Sequence, residues 1–165
     1  NEYRTCLHNG THVDAPMHMI DDSRFINAFD LDRFHGNGVL FDVRGKKSIT
    51  LKDIDLDRVR RGDVVLLYTA FDANIGTQEY FTEHPNIDLA LARALADKGV
   101  KMIGMDMCSP DYEPSEIHKA FMPDVFILEN LTNLAALVGC KSFEVMALPL
   151  NIEAEASQVR AVAII

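Results

Sequence analysis

Apolar residues fall along this chain in two rhythms. Short β-branched runs, Val39-Leu40-Phe41-Asp42-Val43 and Val64-Val65-Leu66-Leu67-Tyr68, are bounded by glycine or charge and predict buried strands. From Ile87 to Lys98 the large apolar residues stand three or four apart and the run stops at Gly99, which predicts an amphipathic helix with a C-terminal glycine. Lys101 to Met105 follows at once as a strand. Ser115 to Phe121 opens on a capping residue type and predicts a short helix, while Val125 to Glu129, Phe143 to Leu150 and Val159 to Ile165 predict further strands. The sum is an α/β layered domain, and periodicity by itself allows an ordinary three-layer sandwich.

Composition sets limits on that picture. With 165 residues, 48% of them hydrophobic, and no linker, repeat or low-complexity run, a single domain over residues 1–165 is expected. Sixteen basic against twenty-five acidic residues give a formal charge of -9, which disfavours a nucleic-acid or anionic-membrane partner. Neither an apolar run of membrane-spanning length nor a signal peptide is read from the chain, which opens on the polar Asn1-Glu2-Tyr3-Arg4. Cys6, Cys108 and Cys140 are odd in number, far apart and without CxxC spacing, so a reducing cytoplasm is expected rather than a disulfide framework. Cys108 is read as a small buried filler rather than a nucleophile or ligand.

Candidate chemistry concentrates in His8-Asn9-Gly10-Thr11-His12-Val13-Asp14-Ala15-Pro16-Met17-His18, which holds three of the six histidines and a carboxylate. Gly10 and Pro16 disfavour a helix, and no Glu follows His8 as in HExxH proteases. In an extended chain His12 and Asp14 project to one side, and a bend at Gly10 lets His8 join them. Imidazole with carboxylate suits zinc, manganese or iron rather than magnesium or calcium. Pro16 fixes the turn that presents His18, a candidate for chemistry rather than for metal binding. Elsewhere Lys46, Lys47, Arg58, Arg60 and Arg61 alternate with Asp53, Asp55, Asp57 and Asp63 as a solvated face does. Asp21, Asp22, Asp111 and Glu113 read as loop carboxylates, His35 and His84 stay unassigned, and Glu79 and Tyr80 are weak pocket candidates.

These residues resemble the HxGTHxDxPxH signature of the cyclase-like metal-dependent hydrolases, which include bacterial kynurenine formamidases and isatin hydrolases. His8, Gly10, Thr11, His12, Asp14, Pro16 and His18 fill every defined position. The resemblance continues through the GDVVLL-type strand at Gly62 to Thr69 and through Gly104-Met105-Asp106 with Ser109-Pro110-Asp111. It ends in Leu148-Pro149-Leu150 and Val159 to Ala163.

The resemblance implies a swivelling β/β/α fold with a central barrel-like sheet. It also implies a second half of the site, His118 and Glu129. His8, His12, Asp14 and Glu129 would surround one divalent ion, zinc or manganese, and Asp14, His118 and Glu129 a second. The separation of His118 and Glu129 is one residue shorter than expected, which a deletion in the loop Met122-Pro123-Asp124 would absorb. Shared carboxylates would reduce repulsion between the two ions, and water activated by them would attack a carbonyl. His18, whose imidazole can both accept and donate a proton, would carry the proton to a leaving amine. The implied reaction is hydrolysis of a small amide. An aryl formamide such as N-formylkynurenine, on the route of tryptophan degradation, is the first candidate; a lactam or imide of the isatin type, a cyclase or dehydratase reaction, and a non-catalytic metal-binding role are the alternatives. Family members commonly pair, so a homodimer or homotetramer is expected. Relatives carry a strand and loop of the DLTxPL kind before the motif, so an N-terminal segment is expected to be missing from this numbering.

Overall fold

The computed structural model describes residues 1–122 and 124–165. Its strands are β1 (His12–Asp14), β2 (His35–Asp42), β3 (Ser48–Ile49), β4 (Val64–Tyr68), β5 (Asn86–Ile87), β6 (Met102–Met105), β7 (Phe126–Glu129), β8 (Glu144–Met146), β9 (Ala156–Gln158) and β10 (Val162–Ile164). Among the described residues three helices, α1 (Glu79–Thr82), α2 (Leu89–Lys98) and α3 (Glu116–Phe121), and several 3-10 turns connect them. Eight strands form one curled half-barrel sheet in the order β10-β8-β2-β4-β6-β7-β1-β9, with β3 and β5 paired apart from it. The sheet is mixed: β2, β4, β6 and β7 run parallel, while β8 and β10 on one flank and β1 and β9 on the other pair antiparallel. Half of the sheet therefore descends from crossover connections and half from reversals.

Alternation along the strands divides the core into two faces. Val65, Leu67, Ile103, Met105 and Ile127 pack with Leu91, Leu95 and Phe121 beneath the helices. Val64, Leu66, Met102, Phe126 and Leu128 pack on the opposite side with Val13, Phe34 and Val145. This second side tolerates no extra atoms at Gly38, where a Cβ would stand 2.0 Å from the Phe143 ring, or at Gly104, where it would stand 2.5 Å from Leu66. Packing thus requires glycine there, independent of backbone torsion.

Strand β4 occupies the expected residues, and α2 runs to its glycine, with Gly99 in the left-handed region at φ 73°. Its start is later than the periodicity predicts. Asp88 caps it by accepting from Ala90 N and Leu91 N, while Ile87 belongs to β5. Ser115 precedes α3 but makes no capping hydrogen bond, because it sits at φ 62°. The Asp111 carboxylate accepts from Ile117 N instead, at 2.6 Å. The expected strand Val159–Ile165 is interrupted: only Val162–Ile164 pairs with β8, and Val159 makes an isolated bridge to Pro149. Phe143–Leu150 shortens to Glu144–Met146, and the unexpected strand β9 covers the outer edge of β1. No helix among the described residues is long and apolar enough to cross a membrane.

Candidate metal centre

Strand pairing assembles the site from distant parts of the chain. In the β1–β7 register His12 stands opposite Glu129 and Asp14 opposite Ile127, so both β1 side chains share the helix-facing side of the sheet with Glu129. Val13, between them, is buried on the opposite side. Gly10 at φ 72° turns the preceding segment back, and His8 Nδ1 comes within 2.9 Å of Asp14 Oδ1. Helix α3, over the same face, brings His118 Nε2 to 3.4 Å from Glu129 Oε1. His12 Nε2 is 3.3 Å from both Asp14 Oδ1 and Glu129 Oε2. The structure therefore brings His8, His12, Asp14, His118 and Glu129 together. In the intervening loop, Pro123 lies outside the described residues.

The ring orientations carry more information than the distances. His12 Nδ1 faces Gly10 O at 2.8 Å, His118 Nδ1 faces Asp111 Oδ1 at 2.6 Å and His8 Nε2 faces Glu155 Oε1 at 3.0 Å. Carbonyl and carboxylate oxygens only accept, so each ring donates outward and turns its other nitrogen to the centre. Two such inward nitrogens, His8 Nδ1 and His12 Nε2, lie 3.1 Å apart. As neutral rings they would oppose two lone pairs, an arrangement that needs a cation.

The carboxylates tell the same story. Asp14 and Glu129 are 0% and 5% exposed, yet neither oxygen of Asp14 nor Oε1 of Glu129 has an aligned hydrogen-bond donor. Buried carboxylate oxygens left that way cost several kcal/mol each. Protons on the imidazoles compensate in the chain itself. Asp14 chiefly raises His8, up to about 9. Burial works against protonation of His12 and His118, but Asp14 and Glu129 bring His12 up to about 10, and Asp111 and Glu129 bring His118 up to about 9. Burial alone would raise the Asp14 carboxyl; His12 and His8 outweigh it and hold it well below the usual range. Nitrogen and carboxylate donors, orphaned oxygens and inward lone pairs fit a divalent transition metal.

His18 stands beside this cluster on the 3-10 turn Pro16–His18, which Pro16 begins. A ring nitrogen of His18 and donor atoms of His8 and Asp14 all lie within 4.8 Å of one another. Glu155, which no local pattern singles out, places Oε2 2.5 Å from His18 Nδ1. Asp111, read from sequence as a loop carboxylate, is buried and holds both α3 and the His118 ring. Tyr80 is buried as well and donates to Asn130 Oδ1 at 2.7 Å, so it braces the loop after β7 rather than facing a pocket.

The remaining candidates lie elsewhere. His35 pairs with Glu144 at 3.0 Å on the surface, and His84 stacks on Tyr112 with centroids 4.2 Å apart. Cys108 is half-buried rather than the buried filler expected; burial and nearby Glu129 push its thiol up to about 11, so it is protonated at neutral pH. Lys46 pairs with Asp53 at 2.6 Å, in keeping with a solvated face.

Fold and site together define a metal-centre protein built on a curled mixed sheet. The family described as putative cyclase matches residues 1–112, and the chain belongs to it. A kynurenine formamidase of Bacillus cereus is 32% identical over 162 residues, covering 94% of this chain and 75% of that protein. One from Bacillus mycoides is 30% identical over 161 residues with the same shares. Among solved structures, a potential metal-dependent hydrolase with cyclase activity superposes with TM-score 0.82 at 28% identity, over 97% of this chain and 80% of its own. An isatin hydrolase bound to the product analogue thioisatinate reaches TM-score 0.86 at 23% identity, covering 98% of this chain and 73% of its own, a likeness of fold.

Proposed function

We propose that this protein is a metal-dependent hydrolase of a small amide, with an aryl formamide of the N-formylkynurenine type as its substrate. The observation that carries the reading is the set of orphaned Asp14 and Glu129 oxygens, ringed by inward-facing His8, His12 and His118, with His18 alongside. The names of the similar kynurenine formamidases support the choice of substrate.

His8, His12, Asp14 and Glu129 would hold one ion, and Asp14, His118 and Glu129 a second, zinc or manganese by donor chemistry. When bound, such ions supply Lewis acidity and make water acidic enough to deliver hydroxide at neutral pH. The chain's own part is to place and to move protons. Water adds its oxygen to the formyl carbon, the C–N bond breaks, and the arylamine leaves with a proton. His18, next to Asp14, is the group that takes a proton from the attacking water and returns it to that nitrogen. Without that transfer the amine would have to depart as an anion. Glu129, Asp14 and the imidazoles keep their positions because the outward nitrogens are anchored to Gly10, Asp111 and Glu155.

The test is formate release from N-formylkynurenine by protein reconstituted separately with zinc and with manganese, metal content being measured alongside. Metal-dependent release supports the reading. No release from metal-loaded protein, with hydrolysis of isatin or a cyclic imide instead, would move the substrate to lactams; a product differing by loss of water would replace hydrolysis altogether.

A further inference from the structure

Glu155 belongs to no motif in the sequence, yet its two oxygens divide between two histidines of the centre. Oε1 lies 3.0 Å from His8 Nε2 and Oε2 lies 2.5 Å from His18 Nδ1. Its backbone is fixed by the same ladder that carries the ligands: Ala15 N donates to Glu155 O at 2.9 Å, and the next residue, Ala156, stands opposite Asp14 in the β1–β9 register. A carboxylate has acceptors only, so both rings must donate to it. In the neutral rings, the form that a metal ligand and a proton acceptor must take, the lone pair of His8 is then on Nδ1, the atom 2.9 Å from Asp14, and that of His18 is on Nε2.

We infer that Glu155 is a positioning residue that fixes the tautomers of His8 and His18 together, linking a metal ligand to the proton carrier through one side chain. The importance of His18 rests on the hydrolase reading above; the tautomer assignment does not. The side chain is 34% exposed, and an ordinary ion pair at such exposure would be worth little. What distinguishes Glu155 is that it is shared. Glutamine is therefore the informative replacement, because it is nearly isosteric but has a single acceptor oxygen and an amide that donates. Its oxygen can accept a hydrogen bond only from the imidazole it faces, and its amide turns a donor toward the other. Aspartate keeps two acceptors on a shorter stem.

The experiment uses the full chain labelled with 15N-histidine and loaded with zinc. Long-range 1H–15N spectra should show His18 protonated at Nδ1 and His8 at Nε2. In Glu155→Gln at least one of these rings should change its protonated nitrogen, and Glu155→Asp should restore part of the original pattern. Zinc stoichiometry should stay unchanged, while affinity in chelator competition falls about 10- to 100-fold. Wild-type tautomers in both Glu155→Gln and Glu155→Ala would overturn the inference. So would loss of a whole zinc equivalent from Glu155→Ala, which would make Glu155 a ligand. Neither readout involves substrate, so an absence of formamidase activity would count against the proposed reaction and leave this inference standing.

Discussion

Removing the metal and returning it should be visible as protons. In the metal-free chain the surrounding carboxylates hold His8 and His12 up to about 9 and 10, so their facing nitrogens, 3.1 Å apart, are not both bare at neutral pH. An ion entering between His8, His12, Asp14 and Glu129 must expel the proton held there. Linkage then requires at least one proton released per ion and an affinity rising at least about 10-fold per pH unit around neutrality. A second ion beside His118, itself raised to about 9, would release about one more. The assay is zinc titration of chelator-treated protein in weak buffer with a pH indicator at pH 6.5, 7.0 and 7.5. Stability gives an independent sign. Histidines whose folded pKa lies above the unfolded value contribute stability that is fully present below about 6.5 and lost as pH rises through about 9 to 10. The metal-free protein should therefore melt at progressively lower temperature from pH 6.5 to 9.5. Zinc at about 100 times its dissociation constant should add about 2.7 kcal/mol per site, or roughly 5 to 11 °C for a chain of this size. Zinc binding with no proton release and no pH dependence would refute the assignment of His8 and His12 as ligands.

Other perturbations address single contacts. His18→Ala should leave zinc content intact while formate release falls by about two or more orders of magnitude, and unchanged turnover would remove His18 from the mechanism. Asp111→Asn leaves one acceptor oxygen where the carboxylate serves both Ile117 N and His118 Nδ1, and turns a donor toward the other, so occupancy of the second ion should weaken about 10- to 100-fold as read by metal analysis across a zinc titration. Gly38→Ala, which drives a Cβ to 2.0 Å from the Phe143 ring, should destabilise by about 1 to 3 kcal/mol in urea unfolding. Cys108→Ala should retain activity, because the thiol is pushed up to about 11 and is no nucleophile at neutral pH; inactivation of the wild type by a small alkylating agent at neutral pH would contradict that.

Elements that bury a continuous run were legible because burial leaves a compositional trace. Val64–Tyr68 and the helix ending at Gly99 are examples. Elements defined by pairing alone were not. Ala156-Ser157-Gln158 has no strand-like composition; it is a strand because β1 needs a partner on its outer edge. Ser115 has the composition of a cap without its geometry, since Asp111, four residues upstream, reaches Ile117 N first. Local preference lost in each case to a contact made elsewhere in the chain.

The candidate site divides along the same line. His8, His12, Asp14 and His18 lie within eleven residues, and their spacing could be turned into geometry with nothing more than strand alternation and a bend at Gly10. Glu129 and Glu155 lie far from that segment in sequence and reach it through the β1–β7 and β1–β9 ladders. A slip of one residue in β1 would turn Val13 toward the helix face and carry His12 and Asp14 into the core on the other side. Val13 and Leu128, both 0% exposed and directly opposite one another, oppose that slip. The energy that sets the register is therefore apolar burial on one face of the sheet, and the alignment of imidazoles with carboxylates on the other face follows from it. Replacing Val13 with a polar residue of similar shape would relax the register from the side the ligands do not touch, and it should disperse the metal centre without altering a single ligand.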